Sequence, residues 1–377
     1  MEIVFWLTAF LIVYSYFGYP IILMVLGLGK GKKVSKRKIT PTVSLLILAY
    51  NEEKIIREKI KNSLDLDYPR DKLEVVVASE STDRTNEIVR EYAEQGIILY
   101  SFKEREGKQA TIYRVIPLLK GEIVVFSDAN ALYQRNAIRK LIRNFNDPEV
   151  GCVSGQLKYV SSQEASIGKT EGLYWKYEVF IKKLESGINS VLGANGSIYA
   201  IRKKLYTPIS KYRGDDFEIP IKIAQKGYKV VLEAGAISFE EVSMKTREEF
   251  KRKVRIIAWV WTSTLILLKD SFKKRQFLLV FQLISHKILR WLVGLFLALI
   301  FSINFFLLDK SLYLGLLVIQ ITFYSLGIWG YFKEKRGEKS NELINVTYYF
   351  CAINLAAVLG IFKTILGKQK PTWQKVR

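Results

Sequence analysis

Histidine and cysteine are almost absent from this chain: its 377 residues include one histidine, His286, and two cysteines, Cys152 and Cys351. Neither cysteine has a neighbour at metal-ligand spacing, which excludes a zinc site and a disulfide scaffold. A Ser-His-Asp hydrolase is disfavoured because His286 lies among apolar residues where a hydrophobic stretch begins. We interpret His286 as an interfacial side chain, and we expect the soluble part of the chain in a reducing, cytosolic compartment.

Charged residues are missing from four long stretches of the chain. The stretches run from Ile3 to Leu28, from Trp291 to Leu308, from Ser311 to Phe332 and from Leu343 to Phe362. Each is near or above the roughly 18 to 20 residues that cross the hydrocarbon core of a bilayer. The sequence therefore predicts an integral, multi-pass protein of the cell membrane with a soluble middle part.

The first apolar stretch is interpreted as a retained anchor. It lacks a basic start, and Gly18-Tyr19-Pro20 stands where a signal peptide would have small residues for cleavage. A basic cluster follows it, consisting of Lys30, Lys32, Lys33, Lys36, Arg37 and Lys38. By the positive-inside rule this cluster fixes the next domain in the cytoplasm and the amino terminus outside.

The last apolar stretch has two interpretations. If Leu343 to Phe362 crosses the membrane, the basic tail Lys368 to Arg377 ends outside, against the positive-inside rule. The stretch carries Asn345 and Asn354, so it either spans the bilayer or lies in its interface.

Basic residues exceed acidic ones by a wide margin, 58 Lys and Arg against 36 Asp and Glu, for a formal charge of +22. Much of this excess flanks the apolar stretches, where attraction to anionic lipid headgroups is the simpler explanation. We therefore expect membrane lipids as partners and no nucleic acid.

The soluble middle, residues 41–249, alternates short apolar runs with helical stretches, the pattern of an α/β domain. Short strand-helix-strand connections indicate a mostly parallel sheet flanked by helices. The predicted strands are Thr42 to Leu48, Leu73 to Ala78, Ile97 to Phe102, Ile123 to Ser127, Val150 to Tyr159 and Lys229 to Ser238. The predicted helices are Glu52 to Ser63, Asp83 to Gln95, Lys108 to Leu119, Arg135 to Phe145 and Phe217 to Gln225.

These patterns predict an α/β domain followed by an α-helical transmembrane region. The expected units are an anchor 1–29, a basic linker 30–40, the soluble domain 41–249, interfacial amphipathic helices 250–290, transmembrane helices 291–366 and a basic tail 367–377.

Polar side chains follow three predicted strands directly. Tyr50 to Glu53 follow the first, Ser79 to Asp83 the second, and Asp128 to Asn130 the fourth. Each group alone could cap a helix. Because ligands bind beyond the carboxyl ends of strands in such sheets, three groups together favour a ligand site.

The residue types at this edge indicate a metal and a diphosphate. Asp128 and Asn130 offer oxygen ligands for Mg²⁺ or Mn²⁺, which usually bind substrate phosphates as well. Lys108 and the basic run 252–255 are candidates to neutralise phosphate charge, and headgroup contact is the alternative for the run. Asp215 and Asp216 begin a predicted helix, where a carboxylate serves as a general base or as an N-cap.

Taken in order, the motifs resemble those of the family 2 inverting glycosyltransferases with the GT-A nucleotide-sugar fold. The similarity is to the membrane-integrated branch that includes cellulose, hyaluronan and poly-N-acetylglucosamine synthases, and it covers nearly the whole chain. The motifs are Tyr50-Asn51-Glu52-Glu53, the Ser-Thr-Asp-Arg-Thr run 81–85, Gly107-Lys108, Phe126 to Asn130, Gly193 to Ser197, Asp215-Asp216 and Glu249 to Arg255.

The resemblance implies a role for each candidate residue. Substrate binding falls to nine positions in all, counting Gly196 beside Asn195 and both arginines. Tyr50 and Glu52 would hold the nucleobase and ribose, and Ser79 stands where many relatives have an Asp that reads the base. Asp128 and Asn130 would bind the metal and diphosphate with Lys108 nearby, and Asp216 would be the catalytic base beside Asp215. Arg252 and Arg255 would stabilise the leaving nucleoside diphosphate, and Asn195 and Gly196 would line the acceptor or donor-sugar side.

The resemblance further implies a divalent cation, Mg²⁺ or Mn²⁺, and a nucleotide-diphosphate sugar donor, with a UDP-sugar expected. The acceptor would be lipid-linked or a growing glycan, and a homo-oligomer is compatible with it. Asn130 in place of a second Asp predicts weaker metal binding. Ile256 stands where processive synthases have Trp, so single transfer and processive synthesis with export both stay open. Two other functions also stay open: a catalytically weak nucleotide-sugar scaffold and a nucleotidyltransferase.

Overall fold

The computed structural model describes residues 1–28, 34–160, 166–188, 190–210, 213–241 and 246–367, without the side chains of 166–174 and 246–248. Lys30, Lys32 and Lys33 of the predicted linker and the basic tail from Lys368 to Arg377 lie outside the described residues.

An eight-stranded sheet forms the centre of the globular part. Its order is β3-β2-β1-β4-β7-β6-β8-β5. The strands are β1 Val43–Ala49, β2 Leu73–Ser79, β3 Ile97–Ser101, β4 Ile123–Asp128, β5 Leu132–Tyr133, β6 Val150–Val160, β7 Tyr199–Arg202 and β8 Lys229–Glu241. The parallel pairing predicted for the first four strands is confirmed, since β3, β2, β1 and β4 pair parallel to one another.

The other half of the sheet is mixed. Strand β7 runs antiparallel to both β4 and β6, β8 pairs parallel with β6, and β5 pairs antiparallel with β8. Strand β7 has only four residues, too few for a clear sequence pattern, and it was not among the predicted strands.

The apolar runs become strands because both of their faces are buried. Leu45 and Ile47 of β1 pack into one hydrophobic core cluster, and Leu46 packs into the other. The alternation follows from the two-residue period of side chains along a strand. A hydrophobic core therefore covers each face of the sheet. Because β1, β2 and β4 run parallel, their carboxyl ends lie at the same edge of the sheet.

Five helices around the sheet confirm predicted positions, four with shorter bounds and one, Asp215–Gln225, with a longer one. The helices around the sheet are Ile56–Leu64, Thr85–Arg90, Lys108–Val115, Ala137–Ile142, Ser166–Ile188 and Asp215–Gln225. The long helix Ser166–Ile188 was not predicted. Two glycines have a positive φ at helix ends. Gly107 (φ 96°) precedes helix Lys108–Val115, and Gly227 (φ 89°) follows helix Asp215–Gln225.

Four helices of the described chain are long and apolar enough to cross a membrane. They are Glu2–Gly27, Phe277–Asn304, Ser311–Lys335 and Glu342–Ile365. The helix from Phe277 is continuous through Asn304. The stretch from Phe277 to Ile288 was expected to lie in the interface, but it belongs to the same helix as the predicted crossing. The last stretch, for which two interpretations were open, is a helix of 24 residues.

A further helix, Thr246–Lys273, connects the globular part to these four. Its Val260 and Leu267 belong to a core cluster of the sheet, while Ile257 packs against Ala357 and Ile361. The side chain of Thr364 donates a 2.8 Å hydrogen bond to the Ala258 carbonyl. One face of the expected interfacial helix is thus buried in protein.

His286 is buried, and the expectation of an interfacial side chain is wrong. Its Nδ1 lies 2.6 Å from Glu185 Oε1, and Tyr19 donates a 2.6 Å hydrogen bond to the same carboxylate. Glu185 is more than a hundred residues away in sequence, so the periodicity around His286 could not reveal this partner. The network ties two apolar helices to helix Ser166–Ile188.

Candidate functional site

The carboxyl ends of β1, β2 and β4 surround a cavity of about 100 Å³, here called the strand-end cavity. The polar residues that line it come from the end of β4, from the loops after β1, β2, β3 and β4, and from the start of helix Lys108–Val115. They are Tyr50, Glu52, Glu80, Arg105, Lys108, Thr111, Asp128 and Asn130. Five of the predicted site residues are therefore brought together at the expected edge.

The loop after β1 is fixed against the loop after β2. Asn51 has a φ of 54°, which its short polar side chain tolerates, and its Oδ1 accepts a 2.8 Å hydrogen bond from the Thr82 backbone N–H. The Glu52 N–H donates to Thr85 Oγ1 at 2.8 Å. Tyr50 then presents its ring to the Arg105 guanidinium, whose carbon lies 3.7 Å from the ring centroid.

Glu80 is a site residue that the sequence reasoning missed. It is 5% exposed, and its carboxylate accepts hydrogen bonds from the Gly107 N–H at 2.8 Å and from Thr111 Oγ1 at 2.9 Å. The Glu106 N–H donates to it as well, at 3.2 Å. Glu80 thus holds the loop that begins the Lys108 helix. Its position directly after β2, like that of Asp128 at the end of β4, was the available signal.

Ser79 is not brought to the strand-end cavity. Its side chain is fully buried, and its hydroxyl donates to Ser81 Oγ at 2.8 Å. As the last residue of β2 it points away from the edge, and Glu80 lines the cavity in its place.

Lys108 joins the acidic residues at the centre of the site. Its Nζ lies 2.9 Å from Asp128 Oδ1 and 3.4 Å from Asp215 Oδ1. Burial lowers the pKa of Lys108, but attraction to Asp128, Asp215 and Asp216 outweighs it and holds this pKa well above its usual value. Lys108 is therefore a fixed positive charge between the carboxylates.

Asp215 and Asp216 begin one helix but face different surroundings. Asp215 is buried and accepts hydrogen bonds from Tyr199 OH at 2.9 Å and Gln109 Nε2 at 3.1 Å. Asp216 lines a second cavity of about 350 Å³, here called the membrane-side cavity, which lies between the globular part and the apolar helices. Asp215 is thus locked in the protein, and Asp216 faces the space where a ligand would enter.

The surroundings of Asp216 suit a general base. Burial and the neighbouring Asp215 raise the pKa of its carboxyl, Lys108 and Lys182 oppose them, and the resulting pKa is about 6. Because a base works best with a pKa near the operating pH, Asp216 is poised to accept a proton. A Cβ atom on Gly196 would lie 3.0 Å from Asp216 Oδ2, so glycine leaves room for this carboxylate.

Six predicted residues line neither cavity: Ser79, Asn195, Gly196, Asp215, Arg252 and Arg255. Asn195 Oδ1 accepts hydrogen bonds from Ser197, at 3.1 Å from the backbone N–H and at 2.8 Å from the hydroxyl. Arg252 forms an ion pair with Glu249, and the Arg255 guanidinium carbon lies 5.9 Å from the centroid of the Trp259 ring. Lys253, from the same basic run, lines the membrane-side cavity.

The strand-end cavity offers few ligands to a metal ion. Asp128 and Asn130 both line it, and the described residues contain no group of three His, Cys, Asp or Glu side chains that could hold a metal ion. Mg²⁺ and similar hard cations are commonly held by one or two protein oxygens plus substrate phosphates. The residues fit a cation that arrives with a diphosphate.

Comparison with known proteins adds a family and several relatives. The family model described as Glycosyl transferase family 2 matches residues 44–206. "Probable glycosyltransferase YdaM" of Bacillus subtilis (strain 168) is 25% identical over 272 residues, 65% of this chain and 61% of that protein. The poly-beta-1,6-N-acetyl-D-glucosamine synthase of Staphylococcus aureus (strain COL) is 25% identical over 237 residues, 61% of this chain and 56% of that protein. The matches therefore span less than two thirds of these relatives.

A solved structure is similar over nearly the whole chain. The mannosyltransferase PcManGT from Pyrobaculum calidifontis, in complex with GDP-Man and Mn²⁺, aligns with a TM-score of 0.75 at 20% identity. The alignment covers 98% of this chain and 99% of the other. The two proteins share a fold that includes the apolar helices as well as the sheet.

Proposed function

Since residues 44–206 are a domain of glycosyltransferase family 2, we propose that the protein transfers a sugar from a nucleotide-diphosphate sugar to a membrane-held acceptor, with inversion at the anomeric carbon. The observation that carries the proposal is the position of Asp216. It follows Asp215, which Lys108 connects to Asp128 at the strand-end cavity, and it lines the membrane-side cavity.

We assign the donor to the strand-end cavity. Tyr50, Glu52 and Arg105 would contact the nucleoside part, and Lys108 the diphosphate. Asp128 and Asn130 would hold a divalent cation, whose chemistry is to neutralise charge on the diphosphate. The solved neighbour was bound to Mn²⁺ and GDP-Man, so a donor panel must include guanosine as well as uridine nucleotides.

The transfer needs one displacement and one base. The acceptor hydroxyl oxygen attacks the anomeric carbon while the Asp216 carboxylate accepts its proton. The bond from that carbon to the diphosphate oxygen breaks, and the electron pair leaves with the nucleoside diphosphate. Attack from the opposite face gives inversion.

We favour single transfer over processive synthesis. Ile256, at the position where processive synthases have Trp, lines the membrane-side cavity. The nearest tryptophans along the chain do not replace it. Trp261 packs against Trp291, with ring centroids 6.1 Å apart, and Trp259 lines neither cavity. The cavity therefore lacks the aromatic platform at this position.

The test is transfer of labelled sugar in membranes that contain the protein. A panel of UDP- and GDP-sugars would be supplied with Mg²⁺, Mn²⁺ or a chelator, and labelled products would be sized. We expect label from one donor to enter the lipid fraction as a single addition, dependent on the cation. Long products would favour a processive synthase. Absence of transfer from every donor by folded protein would favour a nucleotide-sugar scaffold.

A further inference from the structure

A short segment of the globular part, residues 190–197, contacts Asp216 at two points and is here called the base loop. The Ala194 N–H donates a 2.6 Å hydrogen bond to the Asp216 carbonyl. A Cβ atom on Gly196 would lie 3.0 Å from Asp216 Oδ2. The base loop therefore fixes the main chain of Asp216 and borders its carboxylate.

Glu185 holds the base loop from the side away from Asp216. It is fully buried in helix Ser166–Ile188, and its Oε2 accepts a 3.1 Å hydrogen bond from the Leu192 N–H. Only Gly193, with a φ of 87°, separates Leu192 from Ala194. A shift of Leu192 would therefore move Ala194, and with it the contact to Asp216.

The other oxygen of Glu185 contacts the membrane helices. Its Oε1 accepts a 2.6 Å hydrogen bond from Tyr19 OH of the first apolar helix and lies 2.6 Å from His286 Nδ1 of the second. Burial raises the pKa of Glu185, but attraction to His286 and hydrogen bonds from both partners outweigh burial and hold this pKa below its usual value. Glu185 is thus an ionised carboxylate that joins two membrane helices to the base loop.

A second contact ties the same membrane helix to the base loop. The Gln282 amide Nε2 donates a 2.9 Å hydrogen bond to the Ser190 carbonyl, and both residues are fully buried. Gln282 and His286 are four residues apart, so they face the same side of the second apolar helix. One side of this helix therefore holds the start of the base loop directly and Leu192 through Glu185.

The proposed donor site is supported by other parts of the chain. The strand-end cavity is lined by residues of the loops after β1 to β4 and of the Lys108 helix. Leu192, Gly193 and Ala194 of the base loop line the membrane-side cavity instead. A displaced base loop would therefore move Asp216 and leave the nucleotide pocket intact.

We propose that Glu185 is a positioning residue for Asp216. With Gln282 it ties the base loop to the first two apolar helices, so the base is aligned only while these helices are packed against the globular part. The word base rests on the proposed function, but the tie between the helices and the loop does not. Catalysis then depends on the membrane helices, whereas nucleotide binding depends on the sheet.

Hydrogen–deuterium exchange tests the tie without any donor. The full-length protein in phosphatidylcholine nanodiscs would be exchanged, and the peptide covering residues 190–197 would be followed by mass spectrometry. Glu185→Leu removes both acceptor oxygens at similar side-chain size, so we expect exchange in this peptide to become about tenfold faster or more. Unchanged exchange of the peptide in folded Glu185→Leu would overturn the proposal.

The conservative variant shows whether the hydrogen bond carries the effect. Glu185→Gln retains an oxygen that can accept from the Leu192 N–H, so we expect exchange of the same peptide within about threefold of the wild-type rate. Exchange as fast in Glu185→Gln as in Glu185→Leu would contradict the role of this hydrogen bond.

Kinetics separates positioning from general loosening. In Glu185→Leu we expect kcat per folded protein to fall about tenfold or more, while the Kd values of UDP and GDP with Mn²⁺ stay within about twofold. Loss of nucleotide affinity in parallel with kcat would show that the whole domain is loosened, and the positioning role would then be wrong.

Glu233→Leu is the matched control. Glu233 is 4% exposed, forms ion pairs with Lys36 and Arg143, and accepts a 3.2 Å hydrogen bond from the Gly235 N–H. Its loss should lower thermal stability as in Glu185→Leu, with wild-type exchange in the base loop and wild-type kcat. Base-loop exchange accelerated equally in both variants would contradict a specific role for Glu185.

Gln282→Met provides a second test if Glu185→Leu does not fold. It removes the amide that reaches Ser190 and leaves no unpaired charge, so we expect kcat to fall about threefold or more with unchanged Kd for UDP and GDP. Wild-type kcat together with wild-type exchange in the base loop of Gln282→Met would overturn the proposal.

Failure of the proposed function has a different signature. Faster base-loop exchange in Glu185→Leu, without nucleotide release by the wild-type protein from any donor of the panel, would retain the tie and remove the transferase. Sugar transfer that is lost in Asp216→Asn but unchanged in Glu185→Leu would retain the transferase and remove the positioning role.

Discussion

At the residue scale, the candidate site depends on a small number of close approaches around Asp216. Gly196 and Gly214 flank its carboxylate, with their ideal Cβ positions 3.0 and 3.2 Å from its oxygens. Lys108 connects the neighbouring Asp215 to Asp128. Steric room and charge at these positions therefore set the orientation and the proton affinity of the proposed base.

Gly196→Ala should slow transfer without unfolding the protein. The new methyl group would be 3.0 Å from Asp216 Oδ2 and would displace the carboxylate. Overpacking of this kind typically costs about 1–3 kcal/mol, so we expect kcat to fall about tenfold or more. Steady-state kinetics in nanodiscs measures it. Gly187→Ala, where a Cβ meets nothing within 4 Å, is the control and should retain full activity. Equal kcat in both variants would contradict the steric account.

The pH dependence of kcat/KM should report Asp216. The carboxyl must be deprotonated to accept a proton, so activity should fall as the pH drops through its pKa of about 6. Because Lys108 lowers this pKa, Lys108→Met should move the acidic limb of the profile to higher pH in addition to reducing the rate. Lys103→Met, at an exposed position, should leave the limb near pH 6. A limb that stays in place in Lys108→Met would count against Asp216 as the base.

At the element scale, the sequence predicted the strands and the parallel pairing of the first four better than it predicted contacts. Residues of β1, β2 and β4 are apolar on both faces, so their runs and the polar residues after them were recognisable, and the GT-A type of sheet flanked by helices is confirmed. Ser79 was named because the resemblance places a base-reading Asp there, and the sequence did not reveal that Glu80 lines the cavity in its place. The four-residue β7 pairs with β4 and β6, which are distant partners that its own sequence does not reveal.

Glu80→Ala should loosen the loop that leads into the Lys108 helix. The carboxylate accepts hydrogen bonds from two backbone N–H groups and from Thr111. Hydrogen bonds to a charged group are worth about 1.5–3 kcal/mol, so we expect the KM for the donor to rise roughly tenfold or more. Glu104→Ala, on the exposed part of the same loop, serves as the control. A KM that is unchanged in Glu80→Ala would show that the loop does not need this anchor.

At the scale of the whole molecule, the apolar helices are tied to the globular part and share consistent ends. Lys310 forms an ion pair with Glu2, and Trp6 Nε1 donates to Tyr313 OH at 3.2 Å, so the first helix begins where the second and third are joined. Lys251 and Lys335 line one cavity near the opposite end. This arrangement agrees with four crossings, and the charge pattern of the sequence alone could not decide the last of them.

Cysteine labelling should separate the two ends of the helical bundle. In a Cys152→Ala and Cys351→Ala background, Asp309→Cys is expected to react with a membrane-impermeant maleimide in intact cells. Lys339→Cys, in the loop after the third apolar helix, should react only after permeabilisation. Both side chains are exposed, so accessibility to the reagent depends on the side of the membrane. The reverse pattern would contradict a cytoplasmic catalytic domain.

The most direct measurement of the whole account is single-turnover transfer by wild-type protein and Asp216→Asn in the same nanodiscs, with donor affinity measured in parallel. Asparagine keeps the size of the side chain and removes the base. We predict that the rate of sugar transfer falls about 10²- to 10⁴-fold while the Kd for the donor stays within about twofold. A transfer rate that survives in Asp216→Asn would contradict the central claim that this carboxylate is the base between the donor and the membrane-side cavity.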